Sequence, residues 1–371
     1  MNILIMSVTA GFGHMATASA IKAALEERGA KAEIVDTLKY ISPLLEKTVA
    51  DGYLFSTKHL PRVYRRAYDI LDKKNKDTSS TDVFQNIIIP EKFVSMIENS
   101  KPDLIICTHI FSAQIINMLK TKGRLRVRAI GVITDYTIHP MWQNVEHIDY
   151  IITASELLTL QAIKKGIPKE RIVPLGIPAN PKFNKSIPKT EARDKLGLDP
   201  DRPTILIMSG SMGFGRMAKT LETLEKLNLG VQIMTVCGTD KRQYNSLSKK
   251  NYGEHIKLYA FVDNIDEMMD AADFIITKPG GLTVTESLIK GLPMIMYNPI
   301  PGQEERNVDF LLNNGLALKA SKHLPLDEAI FYLLERPERI ELLRESIRLL
   351  AKPNAAADIA DFTIKLGGEG E

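Results

Sequence analysis

Residues Thr277 to Asn307 constrain the fold more than any other stretch of this chain of 371 residues. Asp273 to Thr277 is an apolar run of strand type, Pro279-Gly280-Gly281 breaks it, and Leu282 to Lys290 takes up helical spacing. Met294 to Tyr297 is the next strand, and Gly302-Gln303-Glu304 follows it. Strand, turn, helix and strand in so few residues make a βαβ unit, whose crossover helix lets the second strand run parallel to the first.

The chemistry of this stretch follows from its residue types. Two adjacent glycines let the backbone approach a ligand, and the unpaired N–H groups and dipole at a helix start favour a phosphate. Glu286 lies just inside that helix, where a carboxylate accepts two hydrogen bonds from a vicinal diol such as a ribose. A plain glycine turn in an α/β protein is the alternative.

The same alternation runs through the rest of the chain. Asn2 to Ser7 is a strand of buried type, and Val8-Thr9-Ala10-Gly11-Phe12-Gly13-His14 is a glycine loop before the expected helix Ala16 to Arg28. At a helix start the dipole keeps His14 neutral and able to accept a proton, unless it serves only to cap or pack. Strands at Ala32 to Asp36, Asp103 to Thr108, Val127 to Thr134, Asp149 to Thr153 and Arg171 to Pro174 are interleaved with helices at Val83 to Asn99, Phe111 to Lys120 and Glu156 to Lys165. The Val127 strand ends in Thr134-Asp135-Tyr136-Thr137-Ile138-His139-Pro140-Met141-Trp142. This is a polar cluster at the end of a strand, with Asp135 as a turn cap and Trp142 as core filling the plainer reading. Gly176 opens a proline-rich linker that ends near Pro203. Thr204 to Met208 then restarts the α/β pattern and leads into Ser209-Gly210-Ser211-Met212-Gly213-Phe214-Gly215, either a second ligand loop or an ordinary tight turn.

Length and composition narrow the class. The chain is long enough for two domains, and at 44% hydrophobic and 25% charged residues it is of globular type. Cys107 and Cys237 lie in apolar runs and read as buried thiols of a reducing compartment, the cytoplasm by default. Met1 leads straight into a strand, so no signal peptide is expected, and no apolar run reaches membrane-spanning length. Residues 1–177 carry 23 Lys and Arg against 18 Asp and Glu. Much of that charge sits in Lys58 to Lys76, within the aromatic insertion Tyr40 to Asp77. Such an insertion suits an anionic membrane surface, or else a solvated helix face; nucleic acid is not expected, since no recognition module accompanies the charge. Metal is not expected either: the seven histidines show no ligand spacing, and no Asp-x-Asp stands at a strand end.

Gly280-Gly281 with Glu286 and Gly302-Gln303-Glu304, taken with Thr134-Asp135-Tyr136, His139 and Trp142, resemble the GT-B glycosyltransferases. Within them the pattern is similar to the branch of monogalactosyldiacylglycerol synthases and processive diacylglycerol glucosyltransferases, over nearly the whole chain. The resemblance implies an α/β GT-B fold of two Rossmann-like doubly wound domains facing a cleft. Residues 1–177 would form the acceptor and membrane-facing domain, 178–203 the linker and 204–353 the donor domain, with 354–371 crossing back to the first. It implies an inverting transfer of glucose or galactose from a UDP-sugar to diacylglycerol at the cytoplasmic membrane surface, without a cofactor. The alternatives are another lipid or soluble acceptor, or an epimerase or binding protein on the same fold. His14 would be the general base, with Asp135 supporting or replacing it. The donor would meet Gly13, Ser211, Met212, Gly213, Phe261, Val262, Lys278, Gly280, Gly281, Leu282, Thr283, Glu286, Gln303 and Glu304. Lys278 or Lys182 would help stabilise the leaving diphosphate. Tyr136, His139 and Trp142 would contact the acceptor, and Tyr53, Arg62, Arg65 and Arg66 the membrane. Oligomeric state is left open.

Overall fold

The computed structural model describes residues 1–9, 12–42, 89–208, 217–227 and 229–368. It divides into two compact units: Met1–Pro181 with Pro301–Gln303 and Lys352–Glu371, and Lys182–Ile300 with Glu304–Ala351. The basic aromatic segment, including Tyr53, Arg62, Arg65 and Arg66, and the loop Ser211, Met212 and Gly213 lie outside the described residues.

The first unit is built on six parallel strands: β1 (Asn2–Ser7), β2 (Lys31–Asp36), β3 (Leu104–Cys107), β4 (Arg128–Val132), β5 (Tyr150–Ile152) and β6 (Ile172–Val173), in the order β2-β1-β3-β4-β5-β6. β1 and β3 are buried along nearly their whole length, because helices cover both faces of such a sheet. On one face Ile3, Ile5, Leu104, Ile106 and Ile130 pack against Ile21 and Leu25 of the helix Phe12–Glu26 and Ile359 of the helix Ala355–Gly368. Arg28 and Asp361 join those two helices through hydrogen bonds of 2.5 and 3.0 Å. The chain leaves β6 through Gly176, at a φ of 99°, where a side chain would also strike the Lys352 Cβ at 2.5 Å.

The second unit repeats the theme with a different winding: β7 (Thr204–Met208), β8 (Gln232–Val236), β9 (Ile256–Tyr259), β10 (Phe274–Thr277), β11 (Met294–Met296) and β12 (Ala317–Lys319) lie in the order β12-β11-β10-β7-β8-β9, all parallel. Its core gathers Ile205, Ile207, Ile233, Phe274 and Ile295 beneath Leu221 and Leu224 on one helix and Ile330 and Leu333 on another.

Residues read from sequence as a linker carry structure of their own. Helix Lys189–Lys195 is held to the second unit by Asp273, which takes Arg193 at 2.7 Å, Lys189 at 2.5 Å and the Thr204 N–H at 2.7 Å. Proline content suggested a spacer, but buried Arg193, which also donates to the Ala271 and Pro200 carbonyls, makes the segment part of a domain. Among the described residues no helix is long and apolar enough to cross a membrane.

Candidate active site

In an open parallel sheet, ligands bind beyond the carboxyl ends of the strands, where the winding reverses. In the first unit that point lies between β1 and β3, with β2 on one side and β4 to β6 on the other. In the second it lies between β7 and β10. His14 follows β1, His109 follows β3 and Gly280-Gly281 follows β10, while residues 209–216, next in the chain after β7, lie outside the described residues.

The helix after β1 begins at Phe12, earlier than the sequence suggests, so Gly13 and His14 sit in its first turn rather than in the loop before it. The His14 Nδ1 lies 3.0 Å from the Thr108 carbonyl and 3.0 Å from the Thr134 hydroxyl. A carbonyl only accepts, so Nδ1 carries the proton and Nε2 keeps its lone pair. Burial lowers the imidazole pKa from its ordinary value, opposed by the negative charge of Asp135 and the bond to Thr108. The sequence reading ascribes a neutral His14 to the helix dipole; in the structure burial is the main cause of its lowered pKa. Beneath the ring runs a fully buried set of hydroxyls. Thr108 donates to Ser7 at 2.9 Å, Ser112 reaches the Ser7 carbonyl at 3.5 Å, and Thr37 and Ser112 are 2.8 Å apart. Satisfied polar groups of this kind lock the ends of β1 and β3 together beside the helical turn that carries His14.

His109 escaped the sequence reading. Its ring lies edge-on to His14, with centroids 4.5 Å apart and planes at 84°. Its Nδ1 accepts the Phe111 N–H at 3.0 Å and so caps the helix Ile110–Thr121, which places the proton on Nε2. Burial, reinforced by His14 and His139, presses its pKa well below the ordinary value. Its signal was its place directly after a strand; that β3 adjoins β1 is visible only in the sheet order.

Asp135 lies beyond β4, partly buried, and its charge bears on His14. The Gln303 amide, which belongs to the first unit, donates to its carboxylate. The segment after Asp135 is clamped from outside. Gln161 accepts the Ile138 N–H at 3.1 Å and donates to Thr137 at 3.3 Å, and Gln114 donates to the Met141 carbonyl at 2.7 Å. His139 is partly exposed, its Nδ1 accepting the Met141 N–H at 3.2 Å. Tyr136 and Trp142, expected to contact the acceptor, are both buried. Trp142 packs so closely on Gly131 that a Cβ there would lie 2.5 Å from the indole. Trp142 thus fills core, and only Gly131 leaves room for it.

In the second unit the helix Gly281–Ile289 starts at Gly280 without a side-chain cap, and buried Asn307 steadies the turn by donating to the Pro279 carbonyl at 2.9 Å. Uncapped N–H groups at that start suit an anion. Lys278, Leu282 and Thr283 are partly exposed around the turn. Burial pushes the Glu286 carboxyl up to about 8, with Asp266 adding to the shift and Lys182 opposing it. Below that pH it is an acid that gives one hydrogen bond and takes another, rather than the doubly accepting carboxylate expected. Lys182 is engaged by Asp266 at 2.8 Å and by the Asp263 carbonyl, which argues against it as a diphosphate ligand in this arrangement. Glu304 folds back to accept the Ile300 N–H at 2.6 Å, bracing the start of helix Gln303–Asn313. Phe261 is 68% exposed beside the partly exposed Val262, just past β9.

Residues 14–179 match the model of the monogalactosyldiacylglycerol synthase family, and residues 204–329 that of the glycosyltransferase family 28 C-terminal domain. A probable chloroplastic monogalactosyldiacylglycerol synthase of Glycine max is 30% identical over 96% of this chain and 70% of its own length. The chain belongs to the monogalactosyldiacylglycerol synthase family. A processive diacylglycerol beta-glucosyltransferase of Bacillus pumilus is 28% identical over 98% of this chain and 94% of its own. Among solved structures, MurG of Acinetobacter baumannii covers 98% of this chain and 99% of its own with a TM-score of 0.62 at 16% identity. The UDP-GlcNAc 2-epimerase of Neisseria meningitidis reaches 0.59 at 13% identity over 98% and 100%. These likenesses give this member of the monogalactosyldiacylglycerol synthase family the GT-B fold. The first family model begins at His14 and runs through His109 and the Asp135–Trp142 segment; the second contains the Gly280–Glu286 turn and helix.

Proposed function

We propose that the chain is an inverting glycosyltransferase that moves a hexose from a UDP-sugar to diacylglycerol at the cytoplasmic face of a membrane. The observation that carries this reading is the His14 imidazole, neutral through burial, with Nδ1 tied to the Thr108 carbonyl and Nε2 left basic. Inverting displacement needs one such base on the acceptor. The diacylglycerol hydroxyl oxygen attacks the anomeric carbon, its proton passes to the His14 Nε2, and the bond from that carbon to the phosphate oxygen breaks, with UDP taking the electron pair. Asp135 favours the imidazolium as it forms, since its charge already pulls the His14 pKa upward. In the second unit the N–H groups at the start of helix Gly281–Ile289 receive the charge growing on the diphosphate, and Glu286 holds the ribose diol. Family membership and relatives that are diacylglycerol glycosyltransferases support the acceptor.

The test incubates purified protein with UDP-glucose or UDP-galactose and diacylglycerol in mixed micelles, and analyses lipids and nucleotide together. Glycosyldiacylglycerol and UDP should form in equal amounts, with no UDP in the absence of acceptor. UDP release that ignores the acceptor, or an epimerised sugar nucleotide, would defeat the reading.

A further inference from the structure

The short helical stretch Glu156–Lys164 of the first unit presents an apolar face that nothing in the described structure covers. Leu157, Leu160 and Ile163 are 54%, 61% and 39% exposed, while Leu158 and Ala162 turn inward at 4% and 0%. Residues spaced by three along a helix are neighbours, so the three exposed side chains form one strip rather than scattered surface residues. Lys164 and Lys169 are exposed beside it and Lys165 is partly so. Of the two nearby acids, Glu156 is paired with Lys352 at 2.5 Å, which leaves Glu170 against the lysines.

We infer that this strip is a membrane-docking surface for anionic lipid, inserting Leu157, Leu160 and Ile163 among the acyl chains while the lysines meet the headgroups. Charge selects the occupant. Other exposed apolar side chains of the described residues lie in mixed charge: Phe331 and Tyr332 among Asp327, Glu328 and Glu335 with Arg336 and Arg339, and Leu342 and Leu349 among Glu338, Glu341 and Glu345 with Arg339, Arg344 and Arg348, so neither has the positive surplus that Lys164, Lys165 and Lys169 give this strip. The strip is also tied to the candidate acceptor segment. Gln161, between Leu160 and Ile163, holds the backbone of Ile138 and the hydroxyl of Thr137, three and two residues beyond Asp135. Docking here would bring the membrane to the segment that carries Asp135. The surface differs from the basic aromatic insertion expected from sequence to face lipid, and its relevance to turnover rests on the proposed diacylglycerol acceptor.

Sedimentation with phosphatidylcholine vesicles, with and without phosphatidylglycerol, reads docking without reference to catalysis. Both Leu157→Ser with Leu160→Ser, and Lys164→Ser with Lys169→Ser, should lower partition onto the anionic vesicles by about tenfold, the lysine pair having no effect on neutral ones. The side chains are exposed, so unchanged thermal melts are expected for both variants. Turnover should fall for diacylglycerol presented in vesicles and stay at the wild-type level for a short-chain diacylglycerol dispersed in detergent. Wild-type partition by the leucine variant would overturn the inference, as would a change in its association state instead of in lipid binding. Should no form of diacylglycerol be glycosylated by the wild type, the proposed function falls, and partition alone still decides this surface.

Discussion

His14 and Glu286 each have their charge state set mainly by burial, and each yields a pH signature. Lowering the His14 pKa below 6.5 keeps the base competent at neutral pH, so kcat/KM should be flat there and fall on an acid limb below 6.5. Asp135 raises that pKa, hence Asp135→Asn should move the limb to still lower pH while reducing kcat; a limb that stays in place would remove Asp135 from contact with the base. Glu286 behaves in the opposite sense. Below its ordinary value of 4.5 the folded and unfolded forms both hold the proton; between 4.5 and about 8 only the folded form does, so the cost of burying its charge grows with pH and is complete above 8. At about 1.4 kcal/mol per unit the full offset is roughly 5 kcal/mol, an upper figure. Glu286→Gln should therefore melt higher than wild type at pH 9 and no higher at pH 4. The variant Glu286→Ala should lose about tenfold in UDP affinity by calorimetry, since an unmatched ligand hydroxyl pair costs roughly 1–3 kcal/mol. Unchanged UDP binding would take Glu286 out of the site.

Strands and helices were legible where their apolar runs were long: the strands Asn2–Ser7 and Thr204–Met208 appear as read, and most other boundaries differ by one or two residues. Two kinds of feature were not legible. A helix start depends on capping geometry, which is why Phe12–Glu26 begins before Ala16 and takes His14 into its first turn. Side-chain burial depends on partners far along the chain: nothing in Pro140-Met141-Trp142 reveals that Gly131 has cleared a place for the indole. The helix Lys189–Lys195 was missed for the same reason, since Arg193 looks like a surface residue until Asp273 stands beside it. Removing one partner from a buried pair costs roughly 3–5 kcal/mol. Arg193→Ala should accordingly lower the stability of the second unit by about 3 kcal/mol, near the bottom of that range because Lys189 remains on Asp273. Urea unfolding followed in the presence of UDP would check it, and a midpoint equal to wild type would mean that the segment is a spacer after all.

Each unit of the molecule has its own core and its own reversal of winding, and the residues given chemical roles gather at those two points. The pairing of the Gly280-Gly281 turn with the end of β10 was readable from sequence, because turn residues and apolar runs are local signals. Sheet order was not, and with it went His109, which becomes a neighbour of His14 only because β3 lies against β1. The proposed function assigns the base to the first unit and UDP binding to the second. Its central claim is that His14 takes the acceptor proton and has no part in holding UDP. Hexose transfer to diacylglycerol, measured at saturating UDP-sugar for wild type and His14→Asn alongside UDP calorimetry, tests this directly. Loss of a general base lowers turnover by roughly 10² to 10⁴, so the variant should fall by that much with UDP affinity at the wild-type value. Turnover within a few-fold of wild type, or UDP binding lost together with activity, would contradict the account.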